Sequence, residues 1–261
     1  MASDTAHTAR VLLITGGGSG MGREAARRFA ARGDTVALFD VNTAGMQETG
    51  SGFDNMHAWT VDVTDFAAVC AAVQELEARL GPVDALYNAA AIMPFGILVK
   101  QDNAIIHKQM AINYGGLVNI TQAVLPGMLD RGRGDFVSFA SMAGWIPMLK
   151  TGAYTATKFA VRAFTETLYH ENLHSGVRFA CVCPPAVATP LLKQGRESDW
   201  PKMLEDQGEP IEPGAVIDAI ESCLEKGRFF VYPTRDAKIG VLMRRLFPGL
   251  IWKQVHQVEG F

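Results

Sequence analysis

A chain of 261 residues with 48% hydrophobic and 20% charged residues and a formal net charge of −3 is long enough for one α/β domain with a full core. That balance excludes a basic nucleic-acid surface and a disordered chain. The polar stretch Met1 to Arg10 has no apolar signal segment, no run approaches a membrane span, and Cys70, Cys181, Cys183 and Cys223 show no CxxC spacing, so the protein reads as cytoplasmic with reduced thiols.

Val11-Leu12-Leu13-Ile14 is a short apolar run that reads as a buried parallel strand. Thr15-Gly16-Gly17-Gly18-Ser19-Gly20-Met21-Gly22 follows, then an Ala- and Arg-rich helix from Arg23 to Arg32 closed by Gly33. A glycine turn between strand and helix lets the backbone approach a pyrophosphate, and the helix N-terminus offers unpaired N–H groups and a partial positive charge. Gly16, Gly18, Ser19, Gly20, Met21 and Gly22 are therefore expected against a dinucleotide. Thr35 to Phe39 reads as a second strand ending on Asp40, eighteen positions after Gly22. An acid there accepts hydrogen bonds from a ribose and repels the extra phosphate of NADP. No Arg or Lys follows at 41–44, so NAD is the expected cofactor; Arg23 is the nearby cation that would favour NADP instead.

Val41 to Gly52 is poorly patterned. A third strand is expected at Met56–Val61, and Thr64 and Asp65 cap a helix from Phe66 to Leu80 that Gly81-Pro82 ends. Val83 to Tyr87 is the fourth strand, leading to Asn88-Ala89-Ala90-Ala91. A long helical region from about Asn103 to Leu129 contains Asn113 and the pair Gly115-Gly116. The fifth strand, Asp135 to Phe139, leads to Ser141; Tyr154 to Ser175 is a long helix and Val177 to Val182 the sixth strand. Pro184 to Pro213 is rich in Pro, Gly and charge and suits a mobile lid. A helix at Pro213–Lys226 and a strand at Arg228–Tyr232 follow. The expected architecture is α/β: a single-domain, Rossmann-type, doubly wound parallel sheet of about seven strands with helices on both faces. One domain then spans 1–261, with a lid at about 186–213 and a C-terminal apolar segment at about 239–261.

Ligands in such sheets bind outside the C-terminal ends of the strands, where Asp62, Val63, Asn88, Ser141 and Pro184 fall. Tyr154 and Lys158 are spaced i, i+4 and share a helix face. An ammonium beside the phenol, together with an oxidised nicotinamide ring, is expected to lower the tyrosine pKa, so that Tyr154 acts as base toward an alcohol or as acid toward a carbonyl.

These motifs resemble those of the classical short-chain dehydrogenase/reductase family, over essentially all of the chain up to about residue 235. Thr15-Gly16-x-x-x-Gly20-x-Gly22 matches the cofactor motif, Tyr154-x-x-x-Lys158 the active-site motif, and Ser141 stands thirteen residues before the tyrosine. Asn88-Ala89-Ala90-Ala91 resembles an Asn-Asn-Ala-Gly segment with two departures. Pro184-Pro185-Ala186-Val187-Ala188-Thr189-Pro190 resembles Pro-Gly-x-Val-x-Thr-Pro, with Pro185 stiffening the turn in place of glycine. The resemblance implies that Tyr154 exchanges the proton and that Lys158 tunes it and holds the nicotinamide ribose. It also implies that Ser141 orients the substrate oxygen, that Asn113 continues the proton path through water, and that Asp62 contacts adenine and Thr189 the carboxamide. Ala89, Pro184 and Val187 join the cofactor contacts, and a homodimer or homotetramer is implied.

Met93, Phe95, Trp145, Ile146, Met148 and Leu149 flank Asn88 and Ser141 and are expected to wall a pocket for a hydrophobic secondary alcohol or ketone, such as a steroid, terpenoid or aryl alcohol. The alternatives are an NADP-preferring carbonyl reductase and a catalytically silent NAD sensor on the same fold. His170-Glu171-Asn172-Leu173-His174 spells a zinc-protease signature. It lies sixteen residues beyond Tyr154, about 24 Å along a helix, with no evident third ligand nearby, and no metal is expected. Ile239 to Phe261 interleaves Leu242, Met243, Leu246, Phe247, Leu250, Ile251 and Trp252 with Arg244, Arg245 and Lys253. It is expected to pack on the body or a second subunit; the alternative is peripheral contact with a membrane.

Overall fold

The computed structural model describes residues 9–205 and 208–260; residues 1–8 of the polar amino-terminal stretch, residues 206–207 of the expected lid and residue 261 lie outside them. Seven parallel strands form one sheet: β1 (Val11–Thr15), β2 (Thr35–Asp40), β3 (Met56–Thr60), β4 (Ala85–Asn88), β5 (Gly134–Phe139), β6 (Val177–Val182) and β7 (Phe230–Val231). Their spatial order is β3-β2-β1-β4-β5-β6-β7, so the winding reverses between β1 and β4 and opens a crevice at the strand ends. The helices are α1 (Gly20–Ala31), α2 (Thr43–Gly50), α3 (Phe66–Leu80), α4 (Asn103–Met110), α5 (Gly116–Arg131), α6 (Gly152–Glu171), α7 (Pro190–Arg196), α8 (Pro213–Glu225), α9 (Arg235–Leu246) and α10 (Pro248–Glu259).

Strand periodicity splits the core into two layers. In β1, Leu12 and Ile14 pack with Ala25, Ala26 and Phe29 of α1 and Val216, Ile217 and Ile220 of α8. Val11 and Leu13 face the other way, toward Val69, Val73 and Leu76 of α3 and Leu117, Ile120 and Val124 of α5. A strand covered on both faces is apolar at every position, which is why β1 reads as an unbroken hydrophobic run. Cys181 and Cys183 share one of these layers, as their spacing predicts, and all four cysteines are free.

Three segments differ from expectation. The unpatterned stretch after β2 is helical: the Asn42 side chain accepts from Gly45 N–H at 3.0 Å, and Met46 and Thr49 are buried, so a cap and two anchors suffice where periodicity is weak. The long helix around Asn113 is interrupted by a single π-helical turn, Ala111–Gly115, separating α4 from α5. Gly116 then passes so close to Val63 that a Cβ would lie 2.6 Å from its Cγ2. Finally, α6 stops at Glu171, four residues early. His174 therefore lies beyond the helix and does not share a helical face with His170, and no cluster of three potential metal ligands occurs among the described residues.

The described residues of the stretch Pro184 to Pro213 fold against the body. Thr189 caps α7, Lys202–Leu204 forms a 3-10 turn, and a parallel bridge between Val187 and Ile211 closes the base. Beyond β7 the chain ends in α9 and α10, divided at Pro248. No helix among the described residues is long and apolar enough to cross a membrane.

Candidate active site

The glycine turn after β1 is shaped by close backbone approach. A Cβ on Gly22 would lie 2.3 Å from Gly16 O, and Gly16, at φ +69°, would place one 2.8 Å from Ala90 N. Ser19 caps α1 without a side-chain hydrogen bond, leaving the first helical N–H groups unspent. Gly16, Ser19, Gly20, Met21 and Gly22 border a cavity of about 500 Å³, whose far end is lined by Asp40, Asp62 and Val63. Free N–H groups at a helix start with an acid beyond them match the donors and acceptors of a dinucleotide.

Two expected cofactor residues support this cavity without lining it. Gly18 N–H donates to Asp40 Oδ2 at 2.9 Å while Asn42 N–H donates to Oδ1 at 2.9 Å, so Gly18 holds the carboxylate in place. Asn88 Oδ1 accepts from Thr15 Oγ1 at 2.7 Å, joining β1 to β4; its side chain is turned to the strand, away from both cavities. Arg23 is committed elsewhere: it pairs with Glu48 and donates to Gly18 O at 2.7 Å and Thr49 Oγ1 at 3.1 Å.

A second cavity of about 470 Å³ contains Ser141, Tyr154 and Lys158, with Pro184 and Val187 beside them. It shares Met21, Ala89, Ala91, Thr189 and Leu191 with the first, so the two adjoin. Ser141 follows β5 and caps a short 3-10 turn, its Oγ accepting from Ala143 N–H at 3.1 Å. Lys158 Nζ donates to Phe139 O at 2.7 Å and lies 5.6 Å from the centre of the Tyr154 ring. Asn113 is 1% exposed and lines neither cavity. Its Oδ1 accepts from Ile92 N–H at 2.8 Å, and its Nδ2 donates to Ile92 O and to Thr157 Oγ1, both at 3.0 Å. Thr157 Oγ1 in turn donates to Tyr154 O at 2.7 Å. The π turn thus carries a clamp between the loop after β4 and the turn of α6 that bears the tyrosine.

The protein's own electrostatics oppose the expected lowering of the tyrosine pKa. Burial pushes the Tyr154 phenol up to about 12, although a hydrogen bond with Ser141 pulls the other way. Burial likewise pushes the Lys158 amine down to about 8. The protein's own groups therefore keep the phenol protonated at neutral pH, because burial outweighs the Ser141 hydrogen bond. The lysine shift has a stability consequence. Between pH 8 and its ordinary value of 10.5, the unfolded chain holds a proton that the folded chain has released. Stability then rises with pH through that window and is lost as pH falls through 8. Lys158→Met removes this dependence: from about pH 7 to about pH 10 the native protein is expected to gain about 2 kcal/mol relative to the variant. Urea titrations of both proteins at several pH values measure it, and parallel curves would refute it.

The substrate end is apolar. Met93, Phe95, Ile146 and Met148 line it as expected, joined by Leu192 and Trp200. Trp145 and Leu149 do not line it: Trp145 packs on the Phe230 ring and under the Arg162 guanidinium, 4.0 Å from ring centre to Cζ. Thr234, Asp236, Ala237 and Gly240 of the α9 region roof the cavity, a contribution invisible in the sequence because nothing local marks it. A latch built on the buried Glu259 holds the far wall. Glu259 Oε1 accepts from Met203 N–H at 2.9 Å, while Lys150 Nζ lies 2.9 Å from Asp199 and 4.0 Å from Glu259. Trp200 beside it meets Phe95, which meets Tyr154 edge-on with ring centres 5.9 Å apart. Glu259→Ala strands Met203 N–H and weakens this wall, so KM for the alcohol is expected to rise about tenfold with kcat changed little. Equal losses in kcat and kcat/KM would contradict that.

A sequence profile described as short chain dehydrogenase matches residues 10–200. The chain is 35% identical over 191 residues to the 2-dehydro-3-deoxy-L-rhamnonate dehydrogenase (NAD(+)) of Sphingomonas sp. (strain SKA58), covering 72% of this chain and 76% of that protein. It is 29% identical over 247 residues to the estradiol 17-beta-dehydrogenase 11 of Pongo abelii, covering 92% of this chain and 80% of the relative. The crystal structure of a short chain dehydrogenase/reductase from Burkholderia phymatum in complex with NAD is similar at a TM-score of 0.81 and 25% identity, over 93% of this chain and 95% of that one.

Proposed function

The chain belongs to the short-chain dehydrogenase family, and from that premise we propose an NAD-dependent oxidoreductase of hydrophobic secondary alcohols and their ketones. The observation that carries this reading is the shared wall between the two cavities: Ser141, Tyr154 and Lys158 stand in an apolar chamber that adjoins the cavity bordered by the glycine turn.

The glycine turn and the start of α1 would hold the pyrophosphate, Asp40 the adenosine ribose, and Asp62 and Val63 the adenine. Ala89, Pro184, Val187 and Thr189 would hold the nicotinamide end. The nicotinamide, when bound, supplies or accepts the hydride. Tyr154 donates its phenolic proton to a ketone oxygen or, as the phenolate that Lys158 and an oxidised nicotinamide would favour, takes one from an alcohol, and Ser141 hydrogen-bonds that oxygen and fixes its position. Lys158 holds the nicotinamide ribose and places positive charge beside the phenol. Asn113 acts by positioning, through Ile92 and Thr157.

NAD is favoured over NADP because Asp40 is held by two N–H donors while Arg23 is occupied by Glu48. Asp40→Asn keeps the acceptor toward Gly18 and loses the charge. It is expected to lower kcat/KM with NAD about tenfold and to narrow the preference over NADP. An unchanged preference would remove Asp40 from the argument.

The substrate class follows from the chamber. Its walls are aliphatic, aromatic and thioether side chains; Lys158 is its one cation among the described residues, and Glu209 and Asp236 lie at its exposed edge. Such a chamber disfavours an anion such as the sugar acid named for the Sphingomonas relative. It suits a bulky apolar alcohol such as the steroid named for the Pongo relative. NADH formation over a panel of hydrophobic secondary alcohols and hydroxy acids, with NAD and NADP run side by side, tests this. Turnover of the acids above the apolar alcohols would overturn the substrate class. Cofactor binding with no turnover of any alcohol would replace the enzyme reading with a silent sensor.

A further inference from the structure

The C-terminal helices leave uncovered the face that packing on the body would hide. Ile239, Leu242 and Leu246 are spaced along one side of α9, and each is more than half exposed; Phe247 and Leu250 continue the strip into α10, at 51% and 55% exposed. On a helical projection, Lys238 and Arg245 run along one edge of the α9 stripe, Arg235 continues its line at the N-terminal end, and Lys253 is exposed on α10. None of these cations makes an ion pair among the described residues. From Arg235 to Glu259 five cations stand against two acids, and one of those, Glu259, is buried in the latch described above. The chain as a whole carries −3, so this corner reverses the sign of the molecule.

The geometry points to an anionic lipid surface as the occupant of this face, with α9 lying in the interface, its apolar stripe inserted and its cations at headgroup level. A second copy of the chain fits less well. A two-fold contact sets the same patch against itself, which would gather the Lys238, Arg245 and Lys253 charges of both copies into one interface with only Asp236 near to offset them. The inner side of the same helix roofs the substrate chamber through Ala237 and Gly240, and Asp236 stands at the chamber's exposed edge. The helix that meets lipid is therefore the helix beside which an apolar substrate would leave the bilayer and enter. That route rests on the hydrophobic-substrate reading; the lipid contact does not.

The test is co-flotation of the full chain with vesicles of phosphatidylcholine alone and of phosphatidylcholine with phosphatidylglycerol, at low and high salt. Native protein, the double variant Leu242→Ser/Leu246→Ser and the double variant Lys238→Glu/Arg245→Glu are compared. Solution mass and turnover of a water-soluble secondary alcohol are measured alongside. The expected result is binding to the anionic vesicles at least about tenfold stronger than to neutral ones, weakened by salt and lost in both variants. Mass and soluble turnover stay unchanged, since none of the four substituted side chains lines the chamber. Absence of vesicle binding overturns the proposal, as does binding that survives both variants. A mass that falls in Leu242→Ser/Leu246→Ser, without vesicle binding, assigns the face to a second copy instead. Failure of soluble turnover in native protein would strike the proposed activity and leave the lipid result standing on its own.

Discussion

Tyr154→Phe is expected to lower kcat about 10³-fold while leaving the Kd for NAD within about twofold. The ring stays because its surroundings hold it: Phe95 meets it edge-on, and Met93, Ala143 and Leu192 share its cluster. The change removes one hydroxyl and its bond to Ser141, so fold and dinucleotide cavity persist while the proton donor is lost. Steady-state rates in both directions and a fluorescence titration of NAD read the two quantities separately. A variant that keeps most of its turnover would move the proton transfer to another group. A variant that loses NAD binding would show Tyr154 to be a binding residue first.

Gly22→Ala is expected to weaken NAD binding between about tenfold and about a hundredfold and to lower stability by about 1–3 kcal/mol. The added carbon would lie 2.3 Å from Gly16 O and 2.8 Å from Gly16 C, both backbone atoms. Gly16 cannot retreat freely, because its far side is already against Ala90 at positive φ. The loop must therefore open, and the cradle opens with it. Gly249→Ala is the matched control: a Cβ there meets nothing within 4 Å and φ is not positive, so stability and binding should hold. Thermal denaturation and NAD titration of the pair separate a local clash from a general intolerance of alanine. Equal behaviour of the two variants would dismiss the close approach as the reason for glycine.

Much of this arrangement was legible because local chemistry marks it. Asp65 accepts from Ala68 N–H at 3.0 Å and Gly81 takes φ +100°, so both ends of α3 are written in two residues. The buried parallel strands announce themselves as apolar runs, and the glycine turn, Asp40, Ser141, Tyr154 and Lys158 fall at strand ends or on one helix face by spacing alone. Illegible features depend on partners far away in sequence. Asn88 and Gly18 sit where a cofactor residue should, yet Thr15 and Asp40 take their polar groups. The side-chain amide of Asn113 is taken up by Ile92 and Thr157, twenty-one and forty-four positions away. The π turn that places it leaves no trace in periodicity. Trp145 reads as pocket wall until β7 arrives beneath it, and the Lys150–Asp199–Glu259 latch joins residues that no window along the chain contains.

The position of α9 has a consequence for how such a protein diversifies. The helix roofs the chamber but pairs with no strand, and it lies outside residues 10–200, the part matched by the family profile. A Cβ at Gly240 would meet only the ends of two flexible side chains, Ile146 Cδ1 at 3.3 Å and Met142 Cε at 3.6 Å. Substitutions there narrow the chamber while leaving every strand pairing and the dinucleotide cradle untouched. Descendants of this chain can thus trade one substrate for another through drift in a peripheral helix, while the redox half of the molecule is inherited intact.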